Sequence, residues 1–490
     1  MSGPDPKPYP LDQLARRGAA GDAALTVGTR TWTCRELDEQ VGRTAAALLA
    51  QGLSPGDRVA SWMAKTMLAC VLPLACARAG LVHVPVNPLL KRAQAAHILA
   101  DSGARLLIGN QARLATLEEG QRAEARLIAL EEWEPGDEAM SPSTAEPDDL
   151  ASLLYTSGST GFPKGVMLSH ANLWLGAISV AHYLGLSPQD RTLAVLPLAF
   201  DYGQNQLLST WAAGGHAIAF DYLLPRDVVR AVRRHDVTVL AGVPPLWIQL
   251  AEADWSGGEG SSLTTLTNSG GHLPAPVVRR LRELFPDARL HLMYGLTEAF
   301  RSTSLDPALV DEHFDSVGTA IPFAEVTVVH ADGSEASPGE EGELVHSGPL
   351  VAQGYWNDPE RTALRFRDGA VWSGDRVLKG EDGLIRFRGR DDAMIKVSGN
   401  RLSPNEIEEA ALASGAAREA LAIGVPDERL GQAIMLIAVA KGENAEQRLR
   451  AYFAAELTAY MQPREIIWRD VLPTGATGKV DRAALVKEFA

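Results

Sequence analysis

The 490-residue chain has little cysteine, few aromatic residues and no excess of basic residues. Its three cysteines, Cys34, Cys70 and Cys76, match neither a disulfide framework nor a zinc site, so we expect buried thiols. The 61 acidic residues outnumber the 46 basic ones, and the formal charge of −15 argues against a nucleic-acid partner. The most apolar stretch, residues 66–77, is shorter than the roughly 20 residues of a membrane helix. Since the N-terminus also has no signal-peptide pattern, these absences predict a cytoplasmic protein without a membrane span.

The remaining composition, 46% apolar and 22% charged residues, is that of a folded globular protein. Short β-rich runs, such as 58–63, 82–86 and 192–196, alternate with helical patterns in the first half of the chain. This alternation predicts an α/β fold with largely parallel sheets. From residue 325 onward strands and turns dominate, which predicts a β-rich subdomain.

A change of pattern near residue 390 predicts a second domain. Ser403 and Glu406 have the spacing of a capping box, with Pro404 at the first helical position. Strand-like and helical runs alternate from there to the C-terminus. We therefore predict a large N-terminal α/β domain over 1–390 and a small α+β domain over 391–490.

The segment 153–165, LLYTSGSTGFPKG, places hydroxyl groups, glycines and one lysine between two apolar runs. Glycine lets backbone amides approach an anion closely, and the hydroxyls add donors without bulk. Lys164 adds a positive charge for a polyphosphate, although the spacing differs from that of a Walker loop. A simple linker is rarely flanked by apolar runs, so we expect phosphate binding. The predicted phosphate-binding residues are Thr156, Ser157, Gly158, Ser159, Thr160 and Lys164.

Five motifs, in this order, resemble those of the adenylate-forming superfamily of acyl-CoA synthetases, peptide-synthetase adenylation domains and luciferases. They are TSGSTGFPKG at 156–165, YGLTE at 294–298, SGD at 373–375, GRDDAMIK at 389–396 and PTGATGK at 473–479. Within the superfamily, the stretches AFDYGQNQ, YGLTEAFRST and GPLVAQGYWNDPERT look most like acyl ligases associated with the exosortase system. The resemblance implies that a carboxylic acid reacts with ATP to give an acyl adenylate and pyrophosphate. A pantetheine thiol then displaces AMP.

The resemblance also implies roles around ATP for the residues that match the motifs. Tyr294 would stack on the adenine, Thr297 would donate to the α-phosphate, and Glu298 would bind Mg²⁺. Asp375 would accept both ribose hydroxyls, with Arg390 beside it. The remaining predicted nucleotide-binding residues are Gly271, His272, Gly295 and Lys396.

Lys479, in the last motif, is implied to be catalytic together with Glu298 and Thr297. Its positive charge would meet the α-phosphate and the carboxylate in the transition state, where new negative charge develops. Asp392 matches the family's hinge position, about which the small domain rotates between the two half-reactions. Lys396 would then line the channel for the thiol. The C-terminal domain is therefore expected to be mobile.

The predicted acid pocket carries two conflicting signals. Phe200 and Asp201 stand where many fatty or acetyl-CoA synthetases have an aromatic–His pair, and amino-acid adenylation domains use an Asp here to pair with the substrate ammonium. Asp201 also fits as the N-cap of a helix that begins at Tyr202. Leu296 in YGLTE is instead typical of acyl ligases. The predicted pocket residues are Phe200, Asp201, Tyr202, Asn205, Val243, Trp247, Ser269 and Gly270.

These motifs predict a ligase that activates an amino-bearing or small aromatic acid and transfers it to the pantetheine of a carrier protein. Because no carrier domain follows Lys479, the carrier is expected to be a separate partner. The first alternative is an acyl-CoA synthetase for a fatty or other apolar acid. The second, a non-catalytic adenylate sensor, is disfavoured by the presence of Lys479, Glu298 and Asp375. ATP, Mg²⁺ and either CoA or carrier-bound phosphopantetheine are the expected cofactors.

Overall fold

The computed structural model describes most of the residues of the chain. They are residues 3–156, 163–390, 395–397, 400–427, 431–457, 461–475 and 480–489. The side chains of Arg390, Lys396, Asn400, Arg401 and Gly431 are also outside the description. Among the predicted site residues, those outside the described ranges are Ser157, Gly158, Ser159, Thr160, Asp392 and Lys479.

The strands are short and occur along the whole chain. They are β1 (Ala23–Val27), β2 (Arg30–Thr33), β3 (Arg58–Trp62), β4 (Val82–Pro85), β5 (Leu106–Gly109), β6 (Arg126–Ala129), β7 (Leu150–Thr156), β8 (Lys164–Ser169), β9 (Arg191–Ala194), β10 (His216–Ala219), β11 (Val239–Gly242), β12 (Thr265–Asn268), β13 (Arg289–Tyr294), β14 (Thr303–Ser304), β15 (Ser316–Ala320), β16 (Glu325–Val329), β17 (Glu341–Ser347), β18 (Phe366–Arg367), β19 (Ala370–Lys379), β20 (Ile385–Arg390), β21 (Ile395–Val397), β22 (Asn400–Leu402), β23 (Ala417–Asp427), β24 (Gly431–Ala440) and β25 (Glu465–Arg469).

The helices lie mainly between these strands. They are α1 (Cys34–Leu49), α2 (Met67–Arg78), α3 (Arg92–Ser102), α4 (Gln111–Leu114), α5 (His170–Leu184), α6 (Asp201–Ala212), α7 (Pro225–His235), α8 (Pro244–Ala251), α9 (Ala275–Leu284), α10 (Pro359–Arg365), α11 (Pro404–Ala413), α12 (Ala445–Glu456) and α13 (Arg482–Phe489). Short 3₁₀ helices cover Leu11–Arg16, Glu119–Gln121, Leu130–Glu132, Thr297–Ala299 and Pro307–Leu309. In the described residues no helix is long and apolar enough to cross a membrane.

Two helix starts test the sequence patterns directly. At α1 the Glu36 amide donates to the Thr33 hydroxyl at 3.3 Å and the Thr33 amide donates to the Glu36 carboxylate at 2.7 Å, so the capping box is present. At α11, Pro404 is the first helical residue, as predicted, but Ser403 makes no capping bond. The Ser403 side chain is buried, and its hydroxyl has no hydrogen-bond partner among the described residues. The predicted second capping box is therefore wrong.

Parallel sheets form the large N-terminal domain. One sheet has the order β6-β5-β3-β4-β7-β8 and is parallel except for the β7–β8 hairpin, which carries the predicted phosphate loop. The other has a parallel block in the order β1-β10-β9-β11-β12-β13, with β2 antiparallel at its edge. In each parallel block the carboxyl ends of the strands lie at a common edge, where loops of several strands meet. The α/β prediction is confirmed.

Antiparallel strands extend the second sheet from β13 through β14, β15, β20, β19 and β17 to β16. This block is the β-rich subdomain that the sequence predicts. A separate sheet in the order β22-β21-β24-β23, with β25 parallel to β24, forms the small C-terminal domain with α11 and α12. The main core of the large domain also buries Cys34, Cys70 and Cys76 as free thiols, in agreement with the sequence.

Candidate active site

A partly buried ion pair lies where the predicted phosphate and magnesium residues meet. Lys164 begins β8, and Glu298 belongs to the 3₁₀ turn that follows β13. The Lys164 Nζ lies 3.2 Å from Glu298 Oε1. Tyr355 joins both, because its hydroxyl donates to Glu298 Oε1 at 2.7 Å and accepts from Lys164 Nζ at 2.7 Å. The structure therefore brings together two predicted residues and adds Tyr355, which the sequence reasoning missed.

Charge in this cluster favours an ionised carboxylate at Glu298. Burial raises the pKa of Glu298, but the Lys164 charge and the Tyr355 hydroxyl outweigh this effect, so the pKa lies below its ordinary value. Burial lowers the pKa of Lys164, although Glu298 opposes that shift. Burial of the positive charge on Lys164, at the end of the phosphate-loop hairpin, is unfavourable, and the Glu298 carboxylate beside it compensates in part.

The same cluster fits Mg²⁺. This ion prefers oxygen ligands and usually takes one or two carboxylates, with waters and substrate phosphates as the other ligands. Glu298 supplies one such carboxylate, and the buried Thr156 Oγ1 has no hydrogen-bond partner among the described residues. In that part of the chain no group of three or more His, Cys, Asp or Glu side chains forms a metal cage. These donors fit a magnesium ion whose other ligands are waters and nucleotide phosphates.

Four of the predicted nucleotide residues lie together at the junction of the parallel and antiparallel blocks. Tyr294 ends β13, and its hydroxyl donates to Asp375 Oδ2 of β19 at 2.5 Å. The backbone of Arg390 pairs with Asp375 across β19 and β20. Gly295 follows Tyr294 at a close approach, since a Cβ at this position would lie 2.8 Å from the Arg301 Cα. The Asp375 carboxylate is thereby fixed beside the ring predicted to stack on adenine.

The predicted acid-binding residue Asp201 is buried at the first position of α6. The residue that precedes the helix is Phe200, so the alternative role of Asp201 as the N-cap of a helix from Tyr202 is wrong. Thr297 Oγ1 donates to Asp201 Oδ1 at 3.5 Å. Gly203 allows this close packing of α6, because a Cβ there would lie 1.9 Å from the Pro197 carbonyl oxygen. Thr297 therefore links the carboxylate that the sequence predicts to bind the acid to the 3₁₀ turn that carries Glu298.

Tyr202 and Trp247 meet at Thr267 in the centre of the sheet. The Tyr202 hydroxyl lies 2.6 Å from Thr267 Oγ1, and Trp247 Nε1 donates to the Thr267 carbonyl at 3.1 Å. Both side chains are buried, and Tyr202 and Asn205 line an internal cavity between α5, α6 and the sheet. Phe200 is partly buried against the main core, and Val243 is buried just before α8. These predicted pocket residues surround the start of α6.

The loop after β12 carries the remaining predicted residues. Ser269 accepts a hydrogen bond of 2.5 Å from Arg301 Nη1, and Gly270 has a φ of +82°, which favours glycine. The Gly271 carbonyl accepts from Asn268 at 3.0 Å. His272 lies at the contact with the small domain, where its Nε2 is 3.1 Å from Glu409 Oε1 of α11 but is not aligned for a hydrogen bond.

Glu409 is an acidic group with a raised pKa at this contact between the domains. Burial raises the pKa of Glu409 to about 7, from an ordinary value of 4.5. Nearby carboxylates add to the shift and Arg388 of β20 opposes it; the carboxylates are Asp315, Glu406 and Glu408. Burial also lowers the pKa of His272, so this ring is neutral at the pH at which Glu409 ionises. Docking of the small domain in this orientation therefore favours the protonated form of Glu409.

We expect the contact between α11 and the large domain to weaken as the pH rises. A group whose pKa is raised in the docked state stabilises that state below its ordinary pKa, near 4.5, and this stability is lost as the pH passes about 7. Hydrogen exchange of the α11 amides, corrected for intrinsic rates, should be at least about threefold faster at pH 8 than at pH 5.5. Glu409→Gln should flatten this profile, whereas Glu456→Gln, an exposed change in the same domain, should keep it. An unchanged profile in Glu409→Gln would contradict the assignment.

Two models of known families match the chain. The description "AMP-binding enzyme" matches residues 11–356, and "AMP-binding enzyme C-terminal domain" matches residues 406–479. These two matches correspond to the large and small domains of the structure. The assignment of residue 390 as the boundary between them stays a prediction, as does the closer resemblance to exosortase-associated ligases.

Curated relatives match over nearly the whole chain. Feruloyl-CoA synthase from Amycolatopsis sp is 34% identical over 95% of this chain and 96% of its own length. L-proline--[L-prolyl-carrier protein] ligase from Pseudomonas fluorescens is 32% identical over 92% and 93%. The two relatives are named for different thiol acceptors, CoA and a carrier protein.

Solved structures have the same fold, and two of them hold an acyl adenylate or ATP with a magnesium ion. Anthranilate CoA ligase AuaEII in complex with anthranoyl-AMP has a TM-score of 0.92 and 25% identity, over 98% of this chain and 97% of its own. O-succinylbenzoate coenzyme A synthetase from Bacillus subtilis, in complex with ATP and magnesium ion, has a TM-score of 0.85 and 27% identity, over 97% and 98%. The chain therefore belongs to the AMP-binding enzyme family and is an AMP-forming, adenylate-forming ligase.

Proposed function

We propose that this ligase activates an amino-bearing or small aromatic acid and transfers it to the pantetheine thiol of a separate carrier protein. The observation that carries the proposal is Asp201, a buried carboxylate that accepts from Thr297 at 3.5 Å on the acid side of the site. A carboxylate in such surroundings attracts an ammonium or amino group far more strongly than it would in water. Two relatives support the choice, since one is named for L-proline and one structure holds anthranoyl-AMP.

The residues around Asp201 suit the first half-reaction. An acid carboxylate and a triphosphate are both anionic, so the site must neutralise charge as they approach. Mg²⁺, when bound, supplies positive charge at the phosphate oxygens, and Glu298 would hold it. Lys164 lies 3.2 Å from Glu298 and would contact the phosphates from the opposite strand. Thr297 donates its one hydroxyl hydrogen to Asp201 in this structure, and it would donate that hydrogen to the α-phosphate instead when ATP binds. Asp201 Oδ1 would then be available to the amino group and would orient the substrate acid for attack.

The second half-reaction requires a thiol acceptor, and we assign that role to carrier-bound phosphopantetheine. The support is the carrier-protein ligase that matches over nearly its whole length. Incubation of the acyl adenylate with either CoA or a purified carrier separates the two acceptors. Thioester formation with CoA alone would replace the carrier in this proposal and leave the adenylation step as stated.

Asp201→Asn tests the proposed substrate class. We expect it to lower kcat/KM for amino-bearing acids by about 10- to 100-fold, the worth of one charge-assisted hydrogen bond. Acids without an amino group should change by less than about threefold. The measurement is hydroxamate formation with ATP, Mg²⁺ and hydroxylamine, which traps the adenylate without an acceptor.

Asp368→Asn is the matched control for Asp201→Asn. Asp368 is exposed and has a φ of +53°, a conformation that asparagine also tolerates, so the same chemical change occurs at a surface residue that is not among the predicted site residues. It should leave every rate unchanged. If Asp201→Asn lowers the rates for amino-bearing and amine-free acids by the same factor, Asp201 does not select the amine.

A further inference from the structure

Arg301 is a buried cation that no carboxylate of the described residues pairs with. Only 2% of its surface is exposed. Its Nη1 donates to the Ser269 hydroxyl at 2.5 Å and its guanidinium lies 4.7 Å from the centre of the Tyr202 ring. Its Nε has no hydrogen-bond partner in the described part of the chain. A hydroxyl and a ring face compensate a buried charge only in part.

Arg78 is a second buried arginine, which we compare with Arg301 because it lies outside the predicted site. It is 4% exposed, and two carboxylates hold it: Asp12 at 2.8 Å and Asp38 at 2.6 Å. Burial of a charge is costly unless an opposite charge and further hydrogen bonds accompany it. Arg301 lacks the acidic partner that Arg78 has, so the opposite charge must come from outside the described protein groups.

The backbone before Arg301 is strained and fixed in place. Phe300 has a φ of +60° and a ψ of −66°, and the Arg301 amide donates to the Ala299 carbonyl at 2.6 Å across this tight turn. The Phe300 ring packs against Gly176 of α5, where a Cβ would lie 2.4 Å from the ring. A bulky residue with positive φ is unfavourable and persists only where the surroundings hold it. The turn therefore fixes the position of Arg301 at the pocket.

Arg301 lines the internal cavity together with other buried polar side chains. Tyr202, Asn205 and Gln206 of α6 and Thr267 of β12 share this cavity. Asn205 Oδ1 and Gln206 Nε2 are buried and have no hydrogen-bond partner among the described residues. The rest of the lining is mostly apolar, from side chains of α5, β11 and β13, and the cavity volume is about 20 Å³, near that of one water. The unpaired Arg301 charge, rather than the lining as a whole, therefore favours a negatively charged group beside it.

We propose that the acid activated here carries a second carboxylate, which Arg301 binds. The inference rests on the proposed function, since it takes Arg301, which contacts the predicted pocket residues Ser269 and Tyr202, as part of the acid pocket. It narrows the substrate class to dicarboxylic acids, with an amino group where Asp201 also binds. One carboxylate reacts with ATP and the other stays paired with the guanidinium, so the reaction itself is unchanged.

The test compares acids that differ only in the second carboxylate. Glutamate is paired with glutamine, and terephthalate with 4-carbamoylbenzoate, in the hydroxylamine assay. For at least one pair, the wild-type enzyme should prefer the dicarboxylate by about 100-fold or more in kcat/KM. Arg301→Gln should lose about that factor for the dicarboxylate and keep or raise the rate for the amide, while Arg301→Lys should retain part of the preference. Equal rates within both wild-type pairs, or an unchanged preference in Arg301→Gln, would overturn the proposal.

Direct binding separates this inference from the proposed function. Calorimetry with glutamate or terephthalate, without ATP, should give binding that Arg301→Gln loses and that Arg280→Gln, an exposed change on α9, retains. Such binding without hydroxamate from any acid would support the anion site and contradict the proposed reaction. Hydroxamate from monocarboxylic acids alone, with no Arg301-dependent binding, would overturn the inference and leave the proposed reaction. If Arg301→Gln does not fold, the binding and preference of Arg301→Lys decide, since loss of both with intact folding would contradict charge pairing.

Discussion

Glu298→Gln is expected to lower the rate of adenylate formation by about 10³-fold, since metal charge stabilisation contributes several kcal/mol. Glutamine keeps the size of the side chain and still accepts from Tyr355, which donates to Glu298 at 2.7 Å in the structure. It removes the negative charge that would hold Mg²⁺ against the phosphates. It also leaves Lys164, whose Nζ is 3.2 Å away, without its carboxylate. Glu298→Gln should therefore both lower kcat and raise the Mg²⁺ concentration that the reaction requires.

Pyrophosphate release measured against Mg²⁺ concentration tests this prediction. The half-saturating Mg²⁺ concentration should rise by at least about tenfold in Glu298→Gln, because one charged ligand is lost. Glu312→Gln makes the same change at an exposed position and should behave like the wild-type protein. Wild-type magnesium dependence in Glu298→Gln, whatever its kcat, would contradict the role of Glu298 as a metal ligand.

Local sequence patterns are sufficient for most of the fold. The apolar run 216–220 predicts a strand that the structure places at His216–Ala219, and similar agreement holds for 82–86 and Val82–Pro85. Sequence patterns predict such strands well, because a strand that is buried on both faces is a nearly continuous run of apolar residues. The capping box at Ser403 fails although its spacing is right. Spacing does not determine whether the hydroxyl faces the helix end or the core.

Some residues of the candidate site can be predicted from sequence motifs, and others are revealed only by the tertiary structure. Lys164 and Glu298 both come from motifs. Their contact depends on tertiary structure, because Lys164 begins β8 and Glu298 lies in the turn after β13, in a different sheet. Tyr355 is 191 residues from Lys164 in the chain and reaches it only because it forms a β-bridge with Val166. Arg301 directly follows the YGLTEAF segment, but from the sequence alone an arginine beside a motif is expected to lie at the surface. Only burial and the missing carboxylate partner reveal it, and both depend on tertiary structure.

The sequence around Asp201 is compatible with two roles, a helix N-cap and a ligand for an amine. An aspartate just before an apolar helical segment is a good N-cap, and the same residue is a good ligand for an amine. The helix begins at Asp201 itself, which removes the first role and leaves a buried carboxylate beside Thr297. One residue of difference in the helix start, a position that sequence patterns fix poorly, therefore changes the functional interpretation.

Lys479→Ala is expected to lower the kcat of pyrophosphate release by about 10²- to 10³-fold, as the loss of one preorganised charge-stabilising group does. The KM for ATP should change by less than about threefold, because the charge acts where negative charge appears only in the transition state. Lys479 lies outside the described residues, and its assignment rests on the last of the five motifs. Lys487→Ala, an exposed lysine on α13, is the matched control and should keep the wild-type rate.

The rate of the second half-reaction shows whether Lys479 acts in adenylation alone. When the acyl adenylate is made chemically and supplied to the variant, thioester formation with the pantetheine thiol should stay within about threefold of wild type. That step breaks the bond to AMP without forming one at the α-phosphate, so a charge placed for adenylation has no part in it once the small domain has rotated. Equal losses in both steps would mean that the substitution damages the small domain itself. An unchanged rate of pyrophosphate release would remove Lys479 from the catalytic residues, and the charge at the α-phosphate would then have to be met by Lys164, Thr297 and Mg²⁺ alone.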